Sequence, residues 1–227
     1  MGDHPLDNAL WSSLTGPHAR LAERKGRAAR YHPDLAAFAA IPDDPAASDW
    51  ADLAALAGPR AQLILPGPSR TPPTGWDLVE GIPGIQLDGS GMAVVADPEA
   101  VILGAADGPE MLDLVERTRP GPFQPRTHLL GTYLGIRHGG ALVAMAGERM
   151  RPPGWSEISA VCTDPAFQGH GLAGRLMRAV GAVIRERGDV PFLHMSASNH
   201  TARRLYEHLG FVLRGHLHFV VVRTPHE

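Results

Sequence analysis

Residues 157–177 read EISAVCTDPAFQGHGLAGRLM, and their interpretation decides the fold. The first seven, Glu157 to Thr163, are largely apolar or β-branched and stop at Asp164-Pro165, so they form a strand. Gly169, Gly171 and Gly174 follow. From Leu172 onward, Leu176, Ala179, Val180, Val183 and Ile184 recur at helical spacing, with Arg175, Arg178, Arg185 and Arg187 off that stripe. The chain therefore passes from strand through glycine-rich turn to helix. Glycines there let backbone N–H groups approach a ligand closely. The helix N-terminus adds partial positive charge, so the turn suits a phosphate or pyrophosphate. A plain glycine-rich turn is the alternative.

Working outward, Gly188 ends this helix and Val190 to Met195 reads as a buried strand. Asn199 caps a second helix with Ala202, Leu205, Tyr206 and Leu209 on one face, closed by Gly210. Phe211–Leu213 and Leu217–Val222 read as final strands. Upstream, Thr132–Arg137 and Ala141–Ala146 are strands joined by His138-Gly139-Gly140, a hairpin turn because glycine accepts positive φ. Val101–Leu103 and a helix from Pro109 to Thr118 precede them. The order β-α-β-β-β-α-β-α-β predicts an α/β domain with a mixed, mostly antiparallel sheet flanked by helices. Residues 65–91, rich in proline and glycine, read as loop, which sets an expected division into an N-terminal α/β module, 1–89, and a domain over 90–227. In that module Leu6 to Glu23 reads as an interrupted helix, Ser48 caps a helix through Ala57, and Ala61–Leu65 is a strand.

Two phosphate readings compete for the turn. Gly169-x-Gly171-x-x-Gly174 is literally the dinucleotide fingerprint. That fingerprint needs a strand running directly into the turn and an acid at the end of the next strand. Five residues separate the strand from Gly169, and the next strand ends in Met195-Ser196-Ala197-Ser198. The second reading joins Gln168-x-x-Gly171-x-Ala173 to Asn199-x-x-Ala202-x-x-x-Tyr206-x-x-x-Gly210-Phe211. This pair of motifs resembles the GNAT superfamily of acetyl-CoA-dependent N-acetyltransferases, and residues 157 to 213 look like its glycine-N-acyltransferase-like branch. Residues 1 to 89 lie outside the motifs; that branch often carries an N-terminal half of degenerate GNAT form.

The resemblance implies roles. The strand before the turn would splay at a bulge, and the backbone of Val161, Cys162 and Thr163 would pair with the pantetheine arm like an added strand. One amide there would stabilise the tetrahedral oxyanion. The turn Gln168, Gly169, His170, Gly171, Leu172, Ala173 and Gly174 would hold the pyrophosphate. Asn199 would meet the pantetheine amides, with Ala202 and Arg203 flanking the cofactor. Tyr206, two helical turns after Asn199, would be the general acid for the departing thiolate; the alternative is a core aromatic. An alkyl amine with pKa near 10.4 is mostly protonated at pH 7, so a base helps. Glu157 is the expected base, because burial in an apolar strand would raise its pKa; a solvated edge-strand glutamate is the alternative. Cys162 reads as a small buried residue, and the scattered histidines, His216 and His218 included, lack a third ligand, so no metal is expected.

Composition bounds the rest. A net charge of −3 argues against a nucleic-acid binder, which needs a basic face. One cysteine precludes an intramolecular disulfide, as expected of a cytoplasmic protein. No apolar run reaches membrane-spanning length, and Met1 to Pro5 lacks a signal-peptide start, so no membrane association is expected. The expected protein is an N-acetyltransferase, monomer or homodimer, moving an acetyl group from acetyl-CoA to a primary amine of a small molecule, amino acid or peptide N-terminus. A non-catalytic acyl-CoA sensor and a dinucleotide-dependent oxidoreductase are the other readings.

Overall fold

The computed structural model describes residues 4–226. The reading of Met1 to Asp3 lies outside them. The chain opens with helix α1 (Ala9–Thr15), then a small antiparallel sheet of β1 (Ala22–Lys25), β2 (Ala28–Tyr31) and β3 (Ala39–Ala40). Helix α2 (Ala47–Ala57), β4 (Gln62–Gly67), β5 (Asp77–Asp88), β6 (Val101–Leu103) and α3 (Gly108–Thr118) follow. The meander is β7 (Tyr133–His138), β8 (Ala141–Glu148) and β9 (Trp155–Thr163). Then come α4 (Leu172–Glu186), β10 (Val190–Ser196), α5 (His200–His208) and β11 (Val212–Arg223).

One eight-stranded sheet, in the order β4-β11-β5-β10-β9-β8-β7-β6, carries the molecule. Every pairing is antiparallel except β9 with β10, which α4 joins by a crossover. Alternation along the strands divides the core. Leu134 and Ile136 face α4 and pack with Leu176, Val180 and Ile184, whereas Tyr133 and Met145 face α3 and pack with Met111 and Leu114. Leu10, Leu14, Tyr31 and Phe38 of the N-terminal segment bury against Met150 and Phe192. Helix α2 lays Trp50 and Leu53 on Leu63, Leu65, Val220 and Val222.

The order read for residues 90–227 is present, including the β7–β8 turn with Gly139 and Gly140 at φ of 57° and 88°. Some local readings change. The stretch taken as loop contains the 12-residue β5, because pairing to β10 and β11 on its two sides overrides its proline and glycine content. Pro83 donates nothing but its carbonyl accepts from Ala197 N at 2.9 Å, and a Cβ at Gly84 would meet the Phe219 ring at 2.7 Å. The division expected at 89/90 falls just after β5, so strands from both sides of it share the sheet. Helix α1 ends at Thr15, and residues from Ala22 pair with β2 instead of continuing a helix. Ser48 lies inside α2; Asp49 serves its start, accepting from Ala46 N at 2.8 Å. The two final strands are one, β11, with the interruption near Gly215 absorbed as a register shift.

The decisive irregularity is in β9. Met145 pairs with Cys162 but Gly147 pairs with Ser159, so β9 has an extra residue opposite Ala146. Ala160 sits there at φ 52°, a left-handed conformation costly to any residue with a Cβ. Replacing it tests that constraint: Ala160→Gly is expected to keep or raise the melting temperature. Ala160→Val should lower it by roughly 2–8 °C, as a loss of about 1–2 kcal/mol gives in a chain of this length.

Candidate active site

Strands β9 and β10 pair over only three positions, the last being Glu157 with Phe192. Beyond it they diverge, and a cavity of about 360 Å³ opens between Ile158–Val161 on one side and Leu193–Ser196 on the other. Asp164 N donates to Val143 O at 2.8 Å, so strand alternation turns the Cys162 backbone toward β8. The same alternation turns the amides and carbonyls of Val161 and Thr163 away from β8, toward the gap. Cys162 itself points its thiol behind the sheet among Leu103, Met111 and Leu114, where burial pushes its pKa up to about 11. It contributes no side chain to the cavity.

The glycine turn stands at the N-terminus of α4. Gly169 and Gly171 adopt φ of 81° and 73°, and a Cβ at either would meet nothing within 4 Å, so conformation, not crowding, selects glycine. No side chain caps α4, which leaves its first amides available to a ligand. Leu172 is anchored in the core, Ala173 is half-buried and Gly174 is buried beside Leu205. A Cβ at Gly174 would make only ordinary contacts, so the close packing that the dinucleotide fingerprint asks of its third glycine is absent. Gln168 is exposed, and the exposed His170 turns Nδ1 back on the carbonyls of Phe167 and Gln168 at 3.2 and 3.0 Å.

Asn199 accepts the Ala202 amide on Oδ1 at 3.0 Å, which fixes the start of α5, and both Asn199 and Tyr206 line the cavity. Burial pushes the Tyr206 phenol up to about 12. Ala202 is half-buried against the main core, and Arg203 pairs with Glu207 at 2.8 Å along the helix.

Glu157 corrects the sequence reading. It is fully buried, yet the upward pKa shift expected from burial is reversed. Desolvation does push the carboxyl up. The Arg149 guanidinium, bound to both oxygens at 2.8 and 2.6 Å, and His194 Nδ1 at 2.7 Å outweigh it, holding the group down at about 2. Met150 N adds a fourth hydrogen bond at 3.3 Å. A carboxylate has about four acceptor sites, and all are filled. Glu157 does not line the cavity; Arg149 and His194, which it holds, do.

His194 is a cavity-lining residue that sequence reasoning missed. The Glu157 contact assigns the proton to Nδ1, leaving Nε2 to accept from Gln86 Nε2 at 2.9 Å. Gln86 is in turn fixed by Leu6 O at 3.0 Å and by Arg214 at 2.9 Å. The available signal was a lone histidine inside the apolar run Val190–Met195.

A family model described as "FR47-like protein" matches residues 133–220. The N-alpha-acetyltransferase RimI of Mycobacterium tuberculosis is 33% identical over 136 residues, covering 52% of this chain and 82% of that enzyme. A mycothiol acetyltransferase of Thermomonospora curvata is 35% identical over 109 residues, 47% of this chain but 36% of that protein. The crystal structure of a putative acetyltransferase from the GNAT family of Novosphingobium aromaticivorans superposes with a TM-score of 0.89 at 42% identity, covering 97% of this chain and 98% of that one.

The Glu157 cluster makes a stability prediction. Its carboxyl titrates at about 2 when folded against an ordinary 4.5, so its contribution is complete above about pH 4.5 and fades as pH falls toward 2. Urea unfolding at stepped pH should show that acid loss in the wild type. Glu157→Gln should lose about 3–5 kcal/mol at pH 7, because it strands the Arg149 charge, and should show a shallower acid limb.

Proposed function

The chain belongs to the GNAT family of acetyltransferases, and from that premise we propose how its residues divide the work of moving an acetyl group from acetyl-CoA to an amine. The observation that carries the reading is that free backbone groups of β9, the Asn199 side chain and the Tyr206 phenol meet in one cavity, while the glycine-rich helix start that follows β9 along the chain is uncapped.

The pyrophosphate is held by the amides from Gly169 to Gly174, with Gln168, His170 and Arg203 at its margin. The pantetheine arm pairs with Val161 and Thr163 as an added strand and meets Asn199. The Val161 amide faces the thioester oxygen and stabilises it as negative charge develops. The amine attacks the carbonyl carbon, a C–N bond forms, and the C–S bond breaks as the intermediate collapses. Tyr206 donates a hydrogen bond to the departing sulfur. A phenol held at about 12 is roughly 3.5 units weaker an acid than a thiol near 8.5, so full proton transfer is uphill by about 5 kcal/mol. Its contribution is hydrogen bonding to the developing thiolate, and it stays protonated across the working range.

Glu157 acts through His194. The carboxylate keeps the Nδ1 proton in place and orients the ring, and Nε2 takes up the amine's proton, directly or through one water, only once Gln86 Nε2 has given up its hydrogen bond there. The acceptor is the primary amine of a small molecule, amino acid or peptide N-terminus. Residues 1–89 form the acceptor side of the site, supplying Phe38, Ile64 and Ile82 to the cavity wall. The motif pair over 157–213 supports a place near the glycine-N-acyltransferase-like branch. We assign the reaction to the cytoplasm; separately, among the described residues no helix is long and apolar enough to cross a membrane.

Acetyl-CoA at 100 times its Kd should raise the melting temperature by roughly 5–10 °C, the equivalent of about 2.7 kcal/mol, and Gly171→Val should abolish that shift. A shift with NAD and none with acetyl-CoA would overturn the reading. Tyr206→Phe should retain stability and acetyl-CoA affinity while kcat falls roughly tenfold to a thousandfold. Undiminished turnover in that variant would return Tyr206 to packing. The wild-type rate should rise from pH 7 toward 10 as the amine deprotonates, with no alkaline decline from a phenol that titrates at about 12.

A further inference from the structure

The cavity extends past the catalytic gap to an apolar wall built by Phe38, Ile64 and Ile82 from the first 89 residues and by Phe219 and Val221 of β11. Its charges are unbalanced. Two arginines, Arg119 and Arg149, line it, and among the described residues no aspartate or glutamate does. Arg149 is committed: it is bound through two nitrogens to Glu157 and stacked 4.6 Å over the Phe38 ring. Arg119 is not. It is exposed, and no ion pair or side-chain hydrogen bond holds it among the described residues.

The backbone beneath Arg119 is a second, independent observation. The residue ends α3 in the left-handed region, φ 47° and ψ 57°, its amide donating to Val115 O at 2.7 Å. Glycine is the residue that fits this helix-terminating position without steric cost. An arginine stands there instead, followed by Pro120-Gly121-Pro122, whose prolines limit how the loop can carry it away from the cavity. An unpaired guanidinium, carried on a strained backbone at a cavity that lacks carboxylates, is suited to a ligand that brings the carboxylate with it.

Resting on the acetyl-transfer reading above, we propose that the acceptor is an apolar amine bearing a carboxylate, of the class of apolar amino acids and their short derivatives. Its amine points into the gap beside Val161 and Tyr206. Its body lies on the Phe38–Ile64–Phe219 wall, and its carboxylate takes the two parallel hydrogen bonds that a guanidinium offers. Polyamines are excluded by the same inventory, since a second ammonium would find two arginines and no acidic partner.

The test is steady-state release of CoA thiol from acetyl-CoA with matched acceptors: leucine against 3-methylbutylamine, phenylalanine against 2-phenylethylamine, and leucyl-leucine against its C-terminal amide, with spermidine as a further arm. In at least one pair the carboxylate member should have a kcat/KM about tenfold or more above its neutral partner, and spermidine should be poorest. Arg119→Gly should bring that pair to within about threefold of each other, through KM rather than kcat. Its melting temperature should hold or rise, because glycine suits the left-handed position. Neutral members equal to or better than carboxylates in every pair would overturn the proposal, as would a preference that survives Arg119→Gly or spermidine as the best acceptor. Turnover that ignores Arg119 sinks this inference alone; no turnover with any amine sinks the acetyl-transfer reading with it.

Discussion

The ion pair between Glu157 and Arg149 sits where the sheet divides, and the arrangement of the site depends on it. Position 157 is the last at which β9 and β10 pair; one residue later the cavity begins. A carboxylate there has no water, and its cost is met only by filling every acceptor site. Doing so orients three residues at once. Arg149 follows β8 and is pulled across to stack on Phe38 of the N-terminal segment, His194 of β10 is fixed in one tautomer, and Met150 is held by its amide. A hydrophobic replacement of the pair can pack as well, but it takes away the Nδ1 partner of His194 and removes Arg149 from the cavity. The pair therefore belongs to the positioning of the site more than to the net stability of the fold.

The other constraint is geometric. A parallel neighbour for β9 would normally consume its outward amides. The bulge opposite Ala146 turns the strand away from β10 and leaves Val161 and Thr163 with donors and acceptors and no strand to take them. The cost is local strain at Ala160, and the return is an edge inside the sheet, open to an extended ligand. The uncapped start of α4 adds free amides at the end of the same path. Both features leave polar backbone groups unsatisfied by the protein; the first lines the cavity and the second follows it along the chain.

Much of this was legible in the sequence where signals are local. The hairpin at Gly139-Gly140, the Asn199 cap, the apolar stripe of α4 and the paired motifs each depend on residues within a few positions of one another. The misreadings arise where distant residues decide. Strand β5 reads as loop because Pro83 and Gly84 are judged by their own preferences; two flanking strands, contributed from more than a hundred residues away, make it a strand. Burial of Glu157 was read correctly and its pKa in the wrong direction, because the sequence shows desolvation but not the arginine that overrides it. His194 was overlooked for the same reason: it is tied to the site through Glu157, which the sequence does not show.

The position of β5 joins the two parts of the site. It lies between β10, which carries His194, and β11, which carries Phe219 and Val221, and it supplies Ile82 to the wall and Gln86 to the histidine. The apolar cavity wall and His194 are thus neighbours in one hydrogen-bonded ladder, with little freedom to move independently. Donor recognition has a different basis: the free amides of β9 and α4 are set by a bulge and a helix start that β5 does not touch. Substitutions facing the wall can therefore change which amine is accepted while the acetyl-CoA path keeps its geometry, provided they leave the ladder intact. Phe219 has the least room to vary, because Gly84 is already reduced to a hydrogen to let its ring pass. The small residue at 84 and the large one at 219 form a complementary pair across the strand, and enlarging the first would press directly on the wall proposed for the acceptor.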